Sequence, residues 1–336
     1  MITQPRTEAP ASPASASDPT GQQVSWRHRH LLDVDALDTA EIERLLQSTA
    51  AMEEVLQRRV ARTPALRGIT VVTLFYEAST RTRASFELAG KILGADVINL
   101  SAKGSSVEKG ESLIDTVRTI GAIGADIVIM RHPQAGAPYL AARHSVARII
   151  NAGDGTHAHP TQALLDAYTL QKALGELQGK RICIVGDIKH SRVARSNLWI
   201  LTRLGAAVTL VAPQSLLPPG LNQNHPLGLP AVRIDDDLDR ALEGADAVMA
   251  LRLQRERAAG VQVPSLREYA RRYQITRERL GLARDNAPVL HPGPLNEGVE
   301  ISPDVARGLQ SEIERQVQHG VAVRMAVLYL LARGGA

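Results

Sequence analysis

From Ile69 onward the chain alternates short, β-branched apolar runs with segments of helical period, and this rhythm restricts the possible fold more than anything else in the sequence. Residues 69–75 read as a strand. Residues 81–93 read as a helix with Phe86, Ala89, Gly90 and Leu93 on one face, closed by Gly94. A strand at 95–100, a helix at 111–123 and strands at 126–130 and 147–150 continue the pattern. Strands that alternate with helices imply a parallel sheet, because each parallel neighbour is reached by a right-handed crossover. His159-Pro160 opens a long helix to about Gly175, with the proline in a first turn where its missing N–H costs nothing. A second series follows: strand 181–185, a helix to Leu204, strand 208–211, helix 236–243, and strands 247–250 and 289–290. An earlier helix spans 39–57, and 309–332 is amphipathic, carrying Ile313, Val317, Val321, Met325 and Leu328. The expected fold is α/β, with two doubly wound parallel-sheet domains joined by helices and an active site in the interdomain cleft. One domain would take 26–159 with the returning segment 309–336, and the other 160–308.

At 336 residues there is room for two cores of ordinary size. Lys+Arg is 39 against 35 Asp+Glu, and aromatics are only 3%, so neither a basic arm nor a stacking platform for nucleic acid is expected. No apolar run approaches the ~18 residues of a membrane span. The single Cys183 excludes an intrachain disulfide framework and a multi-cysteine zinc site. Arginines number 33 against six lysines, a skew that codon usage alone can produce. Arginine's planar fork also suits phosphate and carboxylate, so the placement of individual arginines has to decide. Residues 1–25 are rich in Pro, Ala and Ser and lack an apolar stretch; they read as a disordered extension and not as a signal peptide. A cytoplasmic protein is expected.

In parallel sheets ligands gather at the carboxyl ends of strands, and the loops there carry this chain's unusual residues. Ser79-Thr80-Arg81-Thr82-Arg83 stands between a buried strand and a helix start. Capping needs one hydroxyl, whereas here three hydroxyls and two arginines crowd a positive helix end, which makes an anion site. The pattern is neither a Walker A loop nor GxGxxG, so a nucleotide is not implied. The polar loop 101–110 reads either as a flexible surface loop or as a mobile lid that brings Lys109 to an anion. Arg131 directly follows the strand at 126–130 and reads equally as a ligand group or a surface ion pair.

In 153–162, His157 and His159 are too few for a zinc site, and no metal is expected. His159, just before a helix N-terminus, is placed to donate to a carbonyl oxygen, with Gln162 one turn on. Arg192 and Arg195 follow strand 181–185 and offer carboxylate capture. Residues 251–257 alone would pass as a charged helix start. His291-Pro292-Gly293-Pro294 is a stiff turn, with scope for a cis bond at Pro294 and for aiming carbonyls at a ligand N–H.

Taken in order, FYEASTRTRASFE, VEKGES, MRHP, GDGTHAHPTQALLD, VGDIKHSRVARSN, LRLQRER and HPGPLNEGVEI resemble the motifs of aspartate carbamoyltransferase catalytic chains, within the aspartate/ornithine carbamoyltransferase superfamily, over roughly residues 26–332. STRTR, HPTQ and HPGP are shared by transcarbamylases in general. RLQRER and the HPGP form point to aspartate, because ornithine enzymes typically carry a cysteine where this chain has Pro292. Glu297 departs from the resemblance, since many relatives have a basic residue there.

The resemblance implies transfer of the carbamoyl group of carbamoyl phosphate to L-aspartate in pyrimidine biosynthesis, with another amine such as ornithine as the alternative. It implies that Ser79, Thr80, Arg81 and Thr82 cradle phosphate and that Arg131 contacts phosphate and carbonyl oxygen. His159 and Thr82 would polarise that carbonyl, while Gln162 and the backbone of Pro292, Gly293 and Pro294 would hold the carbamoyl NH₂. Arg192, Arg252 and Gln254 would bind aspartate, and Ser105 and Lys109 would reach in from a neighbouring subunit of a homotrimer. The 26–159 unit would then bind carbamoyl phosphate and the 160–308 unit aspartate. No cofactor is implied, since the substrate amine is the nucleophile. The extended N-terminus resembles a subgroup that assembles with a dihydroorotase-like partner in a mixed dodecamer; a regulatory partner chain is the alternative.

Overall fold

The computed structural model describes residues 26–101, 110–221, 230, 232–254 and 265–334. The expected N-terminal extension, the candidate residues Ser105 and Lys109, and 255–257 of the charged motif lie outside the described residues.

The first half contains α1 (Thr39–Gln57), β1 (Thr70–Phe75), α2 (Thr80–Ile92), β2 (Asp96–Ser101), α3 (Leu113–Ala122), β3 (Ile127–His132), α4 (Ala137–His144) and β4 (Arg148–Asp154). Its strands form one parallel sheet in the order β2-β1-β3-β4. The second half follows α5 (Pro160–Leu174) with β5 (Arg181–Val185), α6 (Arg192–Arg203), β6 (Ala207–Val211), β7 (Arg233–Asp235), α7 (Leu238–Leu242), β8 (Ala247–Ala250), α8 (Leu266–Tyr273), α9 (Arg277–Leu280), β9 (Val289–Leu290), α10 (Pro303–Ala306) and α11 (Ile313–Arg333). Its strands form a second parallel sheet, β7-β6-β5-β8-β9. Two all-parallel sheets bear out the expected architecture. The inner strands are buried along almost their whole length, as sheets covered by helices on both faces require.

Strand order explains where a ligand can sit. In the first sheet the chain leaves β1 for β2 on one side and later returns to β3 on the other, so a crevice opens at the carboxyl ends of β1 and β3. The second sheet repeats the arrangement at β5 and β8. At that second point Gly186 has φ +136°, and a Cβ there would stand 2.5 Å from the carbonyl oxygen of Leu251. Only glycine lets the two strand ends approach this closely.

The structure moves some expected boundaries. β3 runs through His132 and β4 through Asp154, so Arg131 and Gly153 belong to strands and not to the loops after them. The β3–β4 register shifts between Met130 and His132, an irregularity of the kind that re-aims a side chain. α4, α8, α9 and α10 were not anticipated; each has eight residues or fewer, too short for a period to show. α11 packs against α1, α2 and α5. Of its expected inward face, Met325 and Leu328 are buried and Ile313 and Val321 half-buried, whereas Val317 is 51% exposed and the polar Gln316, His319 and Arg324 are buried. That helix forms part of the cleft wall, where polar groups are wanted inside. Among the described residues no helix is long and apolar enough to cross a membrane.

Candidate active site

A cleft of about 770 Å³ lies where the carboxyl ends of the two sheets face each other. Most of the candidate residues among those described line it. Ser79, Thr80, Arg81 and Thr82 come from the β1–α2 junction, Arg131 from β3, and His159 and Gln162 from the start of α5. Arg192 opens α6, Arg252 and Gln254 follow β8, and Pro292, Gly293 and Pro294 follow β9.

Ser79 is the N-cap residue of α2, yet its side chain makes no capping bond. Ser112, Ser191 and Ser265, by contrast, each cap their own helix through the hydroxyl. The first turn of α2 therefore keeps N–H groups and a hydroxyl for a ligand, and the positive helix end favours an anion. Arg81 leans over the turn after β9: a Cβ on Gly293, whose φ is +65°, would stand 2.6 Å from an Arg81 guanidinium nitrogen. The glycine is thus what allows the guanidinium to lie against that turn.

Glu77, one residue beyond Tyr76 after β1, organises two of the arginines. Its Oε1 accepts from Arg131 Nη2 at 2.5 Å and from Arg192 Nη2 at 2.6 Å. Burial pushes the Glu77 carboxyl up, but the hydrogen bonds and charges of Arg192 and Arg131 outweigh it and hold the pKa at about 2. Arg192, itself buried, also donates to the carbonyl of Gly155. It lies so close to Gly153 that a Cβ there would be 2.9 Å from the guanidinium carbon.

The two histidines of the 153–162 motif part company. His157 pairs with Asp154 at 3.1 Å and does not line the cleft. Asp154 also accepts from the backbone of Gly136 and Ala158, so this pair pins the loop. His159 does enter the cleft, and its backbone N–H donates to Ser196 Oγ at 3.0 Å. Burial, reinforced by the charges of Arg192, Arg131 and Arg324, lowers its pKa well below the ordinary histidine value. The ring is therefore uncharged at neutral pH. Gln162 is buried and held by Asp166, its Nε2 donating at 2.9 Å.

The turn after β9 is fixed at three points. His291 N–H donates to Gln316 Oε1, Gly293 N–H donates to His291 Nδ1, and His291 Nε2 lies 3.2 Å from Glu300 Oε1. The Gly293–Pro294 peptide is cis, at the bond where the sequence suggested it. Gln254 is set by the β5 loop, its N–H bonded to Asp187 and its side-chain amide to the His190 carbonyl. Glu297, the departure noted in the sequence, pairs with Arg307 at 2.8 Å.

Sequence reasoning missed Glu77 and Arg324. Glu77 lay inside a quoted motif, and the signal available was a carboxylate at a strand end just ahead of two arginines. Arg324 sits on α11, fully buried, 5.1 Å over the Phe86 ring, and burial depresses its pKa to about 10. Arg195, expected to share carboxylate capture, is not among the residues lining the cleft. Among the described residues no cluster of three or more His, Cys, Asp and Glu side chains is placed to hold a metal.

Known proteins resemble this chain over most of its length. Residues 29–172 match the family described as aspartate/ornithine carbamoyltransferase, carbamoyl-P binding domain. Residues 178–331 match its Asp/Orn binding domain. A Roseiflexus protein named aspartate carbamoyltransferase catalytic subunit is 57% identical over 91% of this chain and 96% of its own length. A Dehalococcoides mccartyi protein of the same name is 52% identical over 96% of this chain and 98% of its own. Among solved structures, Trypanosoma cruzi aspartate transcarbamoylase in complex with carbamoyl aspartate and phosphate superimposes with a TM-score of 0.81. It is 32% identical, over 90% of this chain and 96% of that one.

Proposed function

The chain belongs to the aspartate/ornithine carbamoyltransferase family, and we propose that it transfers the carbamoyl group of carbamoyl phosphate to the amine of L-aspartate, giving N-carbamoyl-L-aspartate and phosphate. The observation that carries this reading is one cleft with an open helix N-terminus on one wall and a buried arginine, Arg192, on the other. That pairing suits a phosphate ester beside a dicarboxylate. The relatives bear the aspartate name, and an ornithine substrate is not favoured.

In this reading the phosphate rests on Ser79, Thr80, Arg81 and Thr82, with Arg131 reaching both phosphate and carbonyl oxygen. Thr82 and the neutral His159 donate to that oxygen as negative charge develops on it. Gln162 and the carbonyls of Pro292, Gly293 and Pro294 hold the carbamoyl NH₂. Arg192, Arg252 and Gln254 hold the aspartate carboxylates, so its amine faces the carbonyl carbon. The amine attacks, the tetrahedral oxyanion is stabilised by donors already in place, and the C–O bond to phosphate breaks. Because burial opposes a positive charge on His159, the departing phosphate is the better acceptor for the amine proton. The nucleophile comes from the substrate, so the reaction calls for no cofactor.

The same reading makes the active unit a homotrimer, with Ser105 and Lys109 supplied by a neighbouring subunit. It places the enzyme in the cytoplasm, early in pyrimidine biosynthesis. The long N-terminus favours a mixed dodecamer with a dihydroorotase-like chain over one with a regulatory chain; co-purification of the native enzyme tests this. The reaction itself is tested by phosphate release from carbamoyl phosphate. Release that depends on added L-aspartate, with stoichiometric N-carbamoylaspartate, is expected. Binding of carbamoyl phosphate without any aspartate-dependent turnover would count against it.

A further inference from the structure

We infer that Asp166 is a positioning residue for the carbamoyl group: it turns the Gln162 amide so that its carbonyl oxygen is the atom left to the cleft, and it ties that amide to the turn at 291–294. This rests on the functional reading above, since it places a carbamoyl NH₂ beside Gln162.

The inference starts from one carboxylate and three amides. Gln162 and Asp166 lie one turn apart on α5, and Gln162 Nε2 donates to Asp166 Oδ1 at 2.9 Å. The same oxygen accepts from Gln316 Nε2 of α11 at 2.7 Å, and Oδ2 accepts from Asn197 Nδ2 of α6 at 2.8 Å. A carboxylate is acceptor-only, so each amide must present its nitrogen to Asp166. For Gln162 that leaves Oε1 as the acceptor offered to the cleft. For Gln316 it leaves Oε1 to accept the His291 N–H at 2.8 Å, which sets the start of the Pro292–Gly293–Pro294 turn. One buried group thus fixes both sets of carbonyl oxygens assigned to the carbamoyl nitrogen.

Asp166 is wholly buried, so no bulk water can replace it if an amide flips. A flipped Gln162 would set oxygen against oxygen at Asp166 and turn an NH₂ toward the ligand's own NH₂. Both contacts are repulsive, and an unpaired buried polar group is costly. Burial pushes the Asp166 carboxyl up to about 6, while the amides of Asn197, Gln316 and Gln162 and the charge of Arg324 oppose this. The acceptor form therefore prevails at neutral pH.

The test measures binding of carbamoyl phosphate and, separately, of inorganic phosphate, by isothermal titration of the full chain. Asp166→Leu is expected to weaken carbamoyl phosphate by about tenfold or more while leaving phosphate within about twofold. Asp166→Asn is expected to stay within a few-fold of wild type for both ligands. Asn197 Oδ1 is buried without a partner, and a turned amide would accept from the new NH₂ in exchange for its Nδ2 bond to the Val193 carbonyl, which is why a few-fold loss is allowed. In a Gln162→Leu background, Asp166→Leu should cost less than it does in wild type, because part of its effect passes through that amide and the rest through Gln316. If the leucine variant does not fold, Gln316→Leu takes its place, with the same selective loss expected. Equal loss of both ligands, no loss of either, failure of Asp166→Asn to rescue, or multiplying effects of Asp166→Leu and Gln162→Leu would each overturn the inference. Wild-type chain that does not bind carbamoyl phosphate would overturn the functional reading itself, a result distinct from all of these.

Discussion

Arg192 Nη2 donates to Glu77 Oε1 at 2.6 Å across the cleft, joining the β1 end of the first sheet to the α6 start in the second half. The same oxygen accepts from Arg131. Two guanidiniums therefore share one acid, and both line the cleft where anions are proposed to bind. Their positions are set before any substrate arrives, which lowers the reorganisation left to binding.

Replacing Glu77 with Gln keeps the shape and removes the charge that orders both arginines. A fall in kcat/KM for aspartate of about tenfold or more is expected, measured by steady-state kinetics at neutral pH. The pH dependence has a definite sign. The folded carboxyl sits at about 2 against an ordinary value of 4.5. Its stabilising contribution is present above 4.5 and is lost as pH falls toward 2. The gap in melting temperature between wild type and Glu77→Gln should therefore be widest near neutrality and narrow below pH 4. A gap that is constant with pH would contradict the pairing.

Gly293→Ala tests the contact between the β9 turn and the loop that carries Arg81. The new methyl would meet the Arg81 guanidinium at 2.6 Å on a backbone with φ +65°. Activity should drop by about 10²-fold or more, as expected when a positioned charge is displaced by roughly an ångström. Arg81→Ala should lose at least as much while circular dichroism and melting remain close to wild type, since Arg81 is exposed. Substantial turnover in Arg81→Ala would remove it from the phosphate site.

His159 gives a second signed pH effect. Its folded pKa lies well below the ordinary 6.5, so the unfolded chain takes up a proton near 6.5 that the folded chain refuses. Stability contributed by this group is therefore lost as pH falls below 6.5. Wild type should lose more melting temperature between pH 7.5 and 5.5 than His159→Gln does. Parallel losses in the two proteins would mean the ring is not held neutral.

How much of this was readable in advance depended on whether the signal was local. The strand–helix rhythm is local, and it led to two parallel sheets and to the loops at their carboxyl ends. Ser79 to Thr82, His159 and Gly293 stand at such junctions, so their neighbourhood could be inferred from chain order alone. Glu77 could not be, because its arginine partner Arg192 lies 115 residues away and is reached only through the tertiary fold. Arg324 was hidden for the opposite reason. On an apolar helix a charged residue is assigned to solvent, whereas this one lies buried over Phe86 with Asp166 as its counter-charge. The Asp166 network shows the same limit, joining α5, α6 and α11 at a single carboxylate.

Sharing of sites between subunits is tested by complementation. Arg81→Ala and Lys109→Ala chains are each expected to be nearly inactive alone. Dissociated, mixed and reassembled, they should regain a fraction of wild-type activity, because some sites would combine one intact Arg81 with one intact Lys109 from a neighbour. Mixtures that stay as inactive as the parents would place Lys109 outside the site.

The central claim is that one cleft joins carbamoyl phosphate to aspartate and not to a monocarboxylate diamine. The most direct measurement is kcat/KM for L-aspartate against L-ornithine at saturating carbamoyl phosphate, with the carbamoylated product identified by mass. The arginines proposed to face the second substrate predict a preference for aspartate of at least about 10³-fold, since a site built for a charged group rejects its opposite strongly. Equal turnover of the two amines, or a preference for ornithine, would contradict the account.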